Sequence, residues 1–104
     1  MHQIIIDQRA SLAALCRSHG VTRLDVFGSA ARAENFDAAR SDIDFLVSFT
    51  PELRNNLTAF LDFKGALEAL IGRPVDLVER AAVETSRNYI RRRQIIAEAE
   101  QVYG

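Results

Sequence analysis

Two aspartates separated by one residue, Asp42 and Asp44, are the side chains of this sequence best suited to chemistry. Alternate residues of a strand project from the same face, so the two carboxylates would point the same way. Such a pair can clamp a hard divalent cation. Upstream, Gly28-Ser29 follows an apolar run, at a strand-to-turn junction where backbone N–H groups and the Ser29 hydroxyl can hold phosphate oxygens. Carboxylates, a cation and phosphate together indicate phosphoryl or nucleotidyl transfer.

A third carboxylate, Asp76, lies on the polar side of a later apolar strand. If that strand neighbours the one carrying Asp42 and Asp44, the three carboxylates converge, and their mutual repulsion requires a cation. We expect Asp42 and Asp44 to hold two Mg²⁺ ions, which also bind substrate phosphates. Asp76 is expected to complete the metal site nearest the attacking hydroxyl and to accept its proton.

Hydrophobic periodicity predicts the elements that must position these carboxylates. Helix-favouring stretches predict helices near residues 3–19, 30–34, 57–71 and 84–99. Short apolar or alternating runs predict strands near residues 21–27, 42–49 and 75–78, with a loop over 35–40 and a short tail at 101–103. This order predicts an α/β fold in which helices flank a small β-sheet. We expect helices to cover the apolar face of the strand at 42–49 and to leave its carboxylate face open to a cleft.

Length and composition indicate one domain spanning residues 1–104 and exclude several function classes. The net charge of −1 provides no global field for nucleic acid or an anionic membrane, so no direct nucleic-acid binding is expected. No run of the sequence approaches the ~20 apolar residues of a membrane span. Cys16 is the single cysteine, which excludes an internal disulfide and fits a reducing, cytoplasmic location.

Each motif also has an ordinary structural explanation when it is taken alone. Asp42 and Asp44 could be solvent-facing residues of a half-buried strand, and Asp76 could lie on an edge strand. Gly28-Ser29 could form a simple turn, because glycine adopts positive φ freely. The occurrence of all three motifs in this order favours a functional site.

These residues give the chain a resemblance to a known family. The motifs that carry it are Gly28-Ser29-Ala30-Ala31-Arg32, Ser41-Asp42-Ile43-Asp44-Phe45-Leu46-Val47, Arg73-Pro74-Val75-Asp76-Leu77-Val78 and the closing Val102-Tyr103. The sequence is similar to the minimal nucleotidyltransferase family of the DNA polymerase β-like superfamily, which implies a palm-like fold with a small mixed sheet. It departs from the family between Ser29 and Asp42, where the segment is somewhat longer and Ala33 replaces a frequent glycine.

The resemblance implies Mg²⁺-dependent transfer of AMP from ATP to a hydroxyl, with release of pyrophosphate. The site residues that it implies fall into two groups, catalytic and metal-binding Asp42, Asp44 and Asp76, and nucleotide-binding Gly28, Ser29, Arg32 and Ser41. Many small members are antitoxins of HEPN-type ribonuclease toxins, which implies a toxin partner, a tyrosine acceptor and a hetero-oligomer. A domain of this size has little surface left to enclose an acceptor, so we expect the partner to supply it.

Two alternatives stay open, an antitoxin that neutralises its toxin by binding alone and a transferase acting on a small molecule or an RNA end. The intact carboxylates argue against pure binding, and the sequence contains no basic stripe for RNA. Arg91-Arg92-Arg93 does not supply one, because successive helical residues are about 100° apart and cannot share one face. We interpret these arginines as a solvated helix surface, and Arg32 as the better candidate for a nucleotide or acceptor contact.

Overall fold

The structure, a computed structural model, describes residues 2–28 and 42–104. Within these ranges the helices are α1 Gln3–Asp7, α2 Arg9–Ser18, α3 Leu57–Ile71, α4 Arg80–Glu84 and α5 Tyr89–Glu98, with a 3₁₀ turn at Pro51–Leu53. The strands are β1 Val21–Phe27, β2 Ile43–Phe49, β3 Val75–Glu79 and β4 Glu100–Tyr103. The predicted α/β fold, a small mixed sheet with flanking helices, is therefore confirmed. None of the helices in this part of the chain is long and apolar enough to cross a membrane.

The sheet has the strand order β3-β2-β1-β4. Strand β1 runs antiparallel to both β2 and β4, whereas β2 and β3 are parallel. The strands that carry Asp44 and Asp76 are thus neighbours, as the convergence of the carboxylates requires. Their register pairs Asp44 with Asp76 directly, and it pairs Phe27 at the end of β1 with Asp44 from the other side.

The chain termini differ from the sequence-based prediction in three places. The predicted tail is strand β4, where Val26 pairs with Glu100. The helix predicted over 3–19 is two helices, because Gln8 leaves helical geometry at φ −99° and ψ 8°. The helix predicted over 84–99 begins only at Tyr89, where the Asn88 side chain accepts a hydrogen bond from Arg91 N and caps it, and a separate short helix at Arg80–Glu84 precedes it.

The main core lies on one face of the sheet, beneath α1, α2 and α3. The strand residues on this face are buried, as predicted for the apolar face of β2, and include Leu24, Val26, Ile43, Phe45, Val47, Val75 and Leu77. Phe63 of α3 meets Phe49 edge-on, with ring centroids 6.0 Å apart, a geometry that adds to the energy of burial. Burial of Cys16 in the same core raises the pKa of its thiol to about 12, so the thiol stays protonated and unreactive.

The opposite face of the sheet is partly covered, which corrects the prediction of an open carboxylate face. Leu46 shares this face with Asp44 and is buried in a second, smaller cluster with Phe27, Val83 and Ile95. These last two side chains belong to α4 and α5, which therefore pack over the centre of the face. The open part is confined to the region around the paired aspartates.

An ion pair fixes α4 to this second face. Asp25 of β1 is fully buried and pairs with Arg80 of α4 and with Arg23, whose Nε lies 3.1 Å from Asp25 Oδ1. A carboxylate buried to this extent needs such partners to offset its lost hydration. The pair therefore connects the strand that ends at Gly28 with the helix that follows Asp76.

Candidate active site

The first component of the site is the turn at the end of β1. Gly28 has φ 71°, in the left-handed region that favours glycine. A Cβ atom added to Gly28 would lie 2.5 Å from Asp44 Oδ2, so only glycine allows this approach of backbone and carboxylate. Of the predicted nucleotide-binding residues, Gly28 is thus placed beside the carboxylates.

Other predicted features lie outside the described residues. They are the nucleotide contacts Ser29, Arg32 and Ser41, the short helix at 30–34 and the loop over 35–40. Their roles therefore remain predictions.

The second component is the group of aspartates. Asp44 and Asp76 are register partners on adjacent strands, and Asp42 immediately precedes β2. Asp44 is partly buried, whereas Asp42 and Asp76 are exposed. Burial, the negative charges of Asp76 and Asp42, and a hydrogen bond with Asp76 raise the pKa of Asp44 to about 6. The structure thus places Asp44 and Asp76 side by side, with Asp42 near enough for its charge to act on Asp44.

The start of β3, and with it Asp76, is held from two sides. Glu68 of α3 accepts a hydrogen bond from Val75 N at 3.0 Å. On the other side, Ile43 N donates to Pro74 O at 3.3 Å. Helix α3 ends at Gly72 in the left-handed conformation, which turns the chain toward the strand. Asp76 is therefore positioned by backbone contacts of the residues just before it.

Arg91 of α5 is exposed, as the interpretation of Arg91-Arg92-Arg93 as a solvated helix surface predicts. What that interpretation did not include is that the positive charge of Arg91 acts on Asp44 and opposes the rise of that carboxyl's pKa. The packing of Ile95 on the carboxylate face orients α5, and no local motif could have shown which arginine would turn toward the site.

A half-open cavity of about 280 Å³ is lined by residues from β3, α4, α5 and the turn between the two helices. Its walls combine apolar and polar side chains, Val78, Ala82, Val83, Ser86, Asn88, Arg91, Arg92 and Ile95. Val78 follows Asp76 by two residues on the same strand and therefore on the same face. The cavity thus adjoins the β3 side of the site.

The donor set fits a hard divalent cation. In residues 2–28 and 42–104, no group of three or more His, Cys, Asp or Glu side chains is already arranged as a metal centre. However, Asp44 and Asp76 are adjacent and their donors are all oxygen, and the raised pKa of Asp44 reflects first its burial and then the negative charges beside it. A cation that binds oxygen ligands would offset both the burial of Asp44 and the repulsion between these carboxylates.

Comparisons with known proteins agree with this arrangement. Residues 9–100 match the family model for the nucleotidyltransferase domain. The protein adenylyltransferase MntA of Thermococcus cleftensis is 39% identical over 66 residues, which span 64% of this chain and 63% of that relative. The match thus covers just under two thirds of the relative's length.

Two solved structures are similar over most of the chain. A minimal nucleotidyltransferase has a TM-score of 0.74 and 34% identity, covering 96% of this chain and 95% of that one. The tri-AMPylated Shewanella oneidensis HEPN toxin in complex with MNT antitoxin has a TM-score of 0.63 and 20% identity, covering 96% of this chain and 72% of that one, and so shows the fold alone. The family resemblance of the sequence motifs is confirmed, and this chain belongs to the nucleotidyltransferase domain family.

Proposed function

We propose that this chain is a protein adenylyltransferase antitoxin. It transfers AMP from ATP to a tyrosine hydroxyl of a HEPN-type ribonuclease toxin and thereby neutralises the toxin. The observation that carries this proposal is the register pair Asp44–Asp76 beside the Gly28 turn. The naming of the MntA relative as a protein adenylyltransferase supports the same reaction class.

The nucleotide contacts are Gly28 together with Ser29, Arg32 and Ser41. In this proposal the turn after β1 presents backbone N–H groups to the phosphates, and Gly28 allows that turn to approach Asp44. The close approach brings the phosphates to the carboxylates without a side chain between them.

The metal ligands are Asp42, Asp44 and Asp76, whose oxygen donors suit two Mg²⁺ ions. When bound, Mg²⁺ neutralises the carboxylates and stabilises the charge of the transferred phosphoryl group. Asp44 lies between Gly28, in the turn after β1, and Asp76 on β3, so it belongs to both halves of the site.

Asp76 is the proton acceptor. Its side chain is exposed, and a hydroxyl can therefore approach it from solvent. The acceptor oxygen forms a bond to the α-phosphorus of ATP and gives its proton to the Asp76 carboxylate. The bond between that phosphorus and the oxygen bridging to the β-phosphorus breaks, and pyrophosphate leaves.

The acceptor is supplied by a partner protein in a hetero-oligomer. On α5, Ile90 is 79% exposed and Tyr89 is 55% exposed, and the guanidinium groups of Arg92 and Arg93 lie over the Tyr89 ring. Exposed apolar side chains of this size are typical of protein-binding surfaces. They support a partner that docks beside the site and brings the hydroxyl with it.

The test is the intact mass of the toxin partner after incubation with this chain, ATP and Mg²⁺. We expect the mass to rise by one or more AMP units. Addition of EDTA or the substitution Asp44→Asn should abolish the gain, whereas Asp62→Asn on the exposed surface of α3 should preserve it. A stable complex without any mass gain would contradict the transferase and favour neutralisation by binding alone.

A further inference from the structure

We propose that the cavity between β3, α4 and α5 is the acceptor subsite, which receives the phenol ring of the partner's tyrosine. This inference rests on the proposed function, because it names where the acceptor of that reaction lies. The cavity is defined by the eight side chains given above, of which Val78, Val83 and Ile95 form an apolar wall and Ser86, Asn88 and Arg91 are polar.

The order of the strands places this cavity on the acceptor side. Along the sheet, the Gly28 turn follows β1, Asp44 lies on β2 and Asp76 lies on β3. In an in-line displacement the attacking and leaving oxygens occupy opposite sides of the phosphorus. If the Gly28 turn holds the departing pyrophosphate, the attacking hydroxyl approaches from the β3 side, the side on which Val78 lines the cavity.

The size and the chemistry of the cavity suit one amphipathic side chain. Its volume of about 280 Å³ lies just below the ~300–1,000 Å³ typical of small-molecule sites. A tyrosine side chain has an apolar ring and a polar hydroxyl. The ring suits the apolar wall of the cavity, and the hydroxyl suits the polar side chains around that wall. A complete nucleoside triphosphate would require a larger enclosure.

Arg91 provides the charge that this subsite needs. Arg92 is already engaged, since it donates a hydrogen bond to Glu84 O at 3.1 Å and lies 5.1 Å from the Tyr89 ring centroid. The Arg91 guanidinium, by contrast, donates no hydrogen bond within residues 2–28 and 42–104. The Arg91 side chain lines the cavity, so its guanidinium can stack on a phenol ring. Its positive charge, which already acts on Asp44, can also stabilise the negative charge on the phenol oxygen as that oxygen gives its proton to Asp76.

A pair of adjacent alanines gives a matched test. Ala82 is exposed and lines the cavity, whereas Ala81 is exposed on the same helix and lines a different cavity with Val47 and Glu84. Ala82→Phe should fill the acceptor cavity, and Ala81→Phe adds the same bulk beside it. Melting curves of both variants establish that each one is folded.

The rate of toxin adenylylation and the Kd of a fluorescent ATP analogue are measured for wild type and both variants. We expect Ala82→Phe to lower kcat/KM for the toxin by at least about 10-fold, since a difference of even one methylene in an apolar pocket changes kcat/KM by about 10- to 200-fold, with the Kd for the analogue unchanged. Ala81→Phe should match wild type. Arg91→Ala should raise KM for the toxin more than KM for ATP, with partial rescue by Arg91→Lys.

Three results would overturn the inference. If Ala82→Phe adenylylates the toxin like wild type, the cavity is not on the acceptor path. If it weakens binding of the ATP analogue to the same degree as transfer, the cavity holds the nucleoside instead. If wild type leaves the mass of the toxin unchanged, the proposed function fails, and the acceptor subsite fails with it.

Discussion

Gly28 and Asp44 lie so close that a Cβ atom on the glycine would stand 2.5 Å from Asp44 Oδ2. Gly28 also has φ 71°, a backbone angle that residues with a side chain rarely adopt. The glycine is therefore required twice, once by its own backbone and once by its neighbour's carboxylate. The turn after β1 can therefore lie this close to the Asp44–Asp76 pair only because residue 28 has no side chain.

We expect Gly28→Ala to abolish most adenylyl transfer. The new methyl group must displace the Asp44 carboxylate from its place beside Asp76, which removes a metal ligand from position. The positive φ also costs about 1–2 kcal/mol of stability for a residue with a Cβ atom. The measurement is kcat/KM for toxin adenylylation together with the free energy of unfolding in urea.

Gly20→Ala is the matched control for Gly28→Ala. Gly20 has nearly the same φ, 69°, and a Cβ atom there would also lie 2.5 Å from a side chain, but that side chain is Leu53. Both variants should lose stability, and only Gly28→Ala should lose transfer beyond its folded fraction. Equal losses of activity per folded molecule would show that the contact with Asp44 is not what matters.

Asp44 should make the metal-free protein less stable as the pH rises. Its pKa is raised from 3.8 to about 6 in the folded chain, so the folded state holds the proton more tightly than the unfolded state. Stability is then lost between about pH 4 and pH 6 and stays lower above that window. The shift corresponds to at most about 3 kcal/mol, and solvent screening of this partly exposed group reduces it to about 1–2 kcal/mol.

Asp44→Asn should therefore stabilise the metal-free protein by about 1–2 kcal/mol at pH 7.5 and have little effect near pH 3.5. The amide keeps the shape and a hydrogen-bond donor but carries no charge. Urea unfolding at both pH values, in the presence of EDTA, measures the difference. Asp62→Asn serves as the exposed control, and a wild type more stable than Asp44→Asn at pH 7.5 would show that burial and nearby negative charge do not destabilise the ionised Asp44.

The carboxylate pair could be predicted from the sequence because its signals are local. Asp42 and Asp44 alternate along a strand, and Asp76 interrupts a short apolar run on its polar side. Their convergence needed one further condition, the adjacency of β2 and β3, which the sequence alone left open and the register of Asp44 with Asp76 fulfils.

Features that depend on distant packing could not be predicted. The tail forms β4 because β1 offers it a partner some 75 residues earlier in the chain, where Val26 pairs with Glu100. Arg91 turns toward Asp44 because Asn88 begins α5 and Ile95 packs on the sheet. None of these contacts leaves a periodic pattern in the sequence, since each joins residues far apart along the chain or depends on a helix start.

Glu68 should influence transfer through the position of Asp76. Its carboxylate accepts the hydrogen bond from Val75 N, the backbone group immediately before Asp76. Glu68→Ala leaves that N–H without its acceptor, at a cost of about 1–3 kcal/mol, and should lower kcat for toxin adenylylation while the Kd of the ATP analogue changes little. The amide oxygen of Glu68→Gln can accept the same bond and should restore kcat. Equal kcat values for the alanine and glutamine variants would show that Glu68 does not act by positioning Asp76.

The contributions of Asp25 and Arg80 to the free energy of unfolding should be strongly coupled, because their ion pair is buried between β1 and α4. Asp25→Ala leaves the Arg80 guanidinium, whose side chain is 17% exposed, without this partner. We expect a loss of about 3–5 kcal/mol in the free energy of unfolding, as for other buried pairs deprived of one member.

The double variant Asp25→Leu/Arg80→Met replaces both charges with apolar groups and should recover most of that loss, because no uncompensated charge remains. Urea unfolding of the two single variants and the double variant gives the coupling energy. A double variant as unstable as the sum of the single variants would show that the two side chains act independently, and that α4 is held over the second face by Val83 instead.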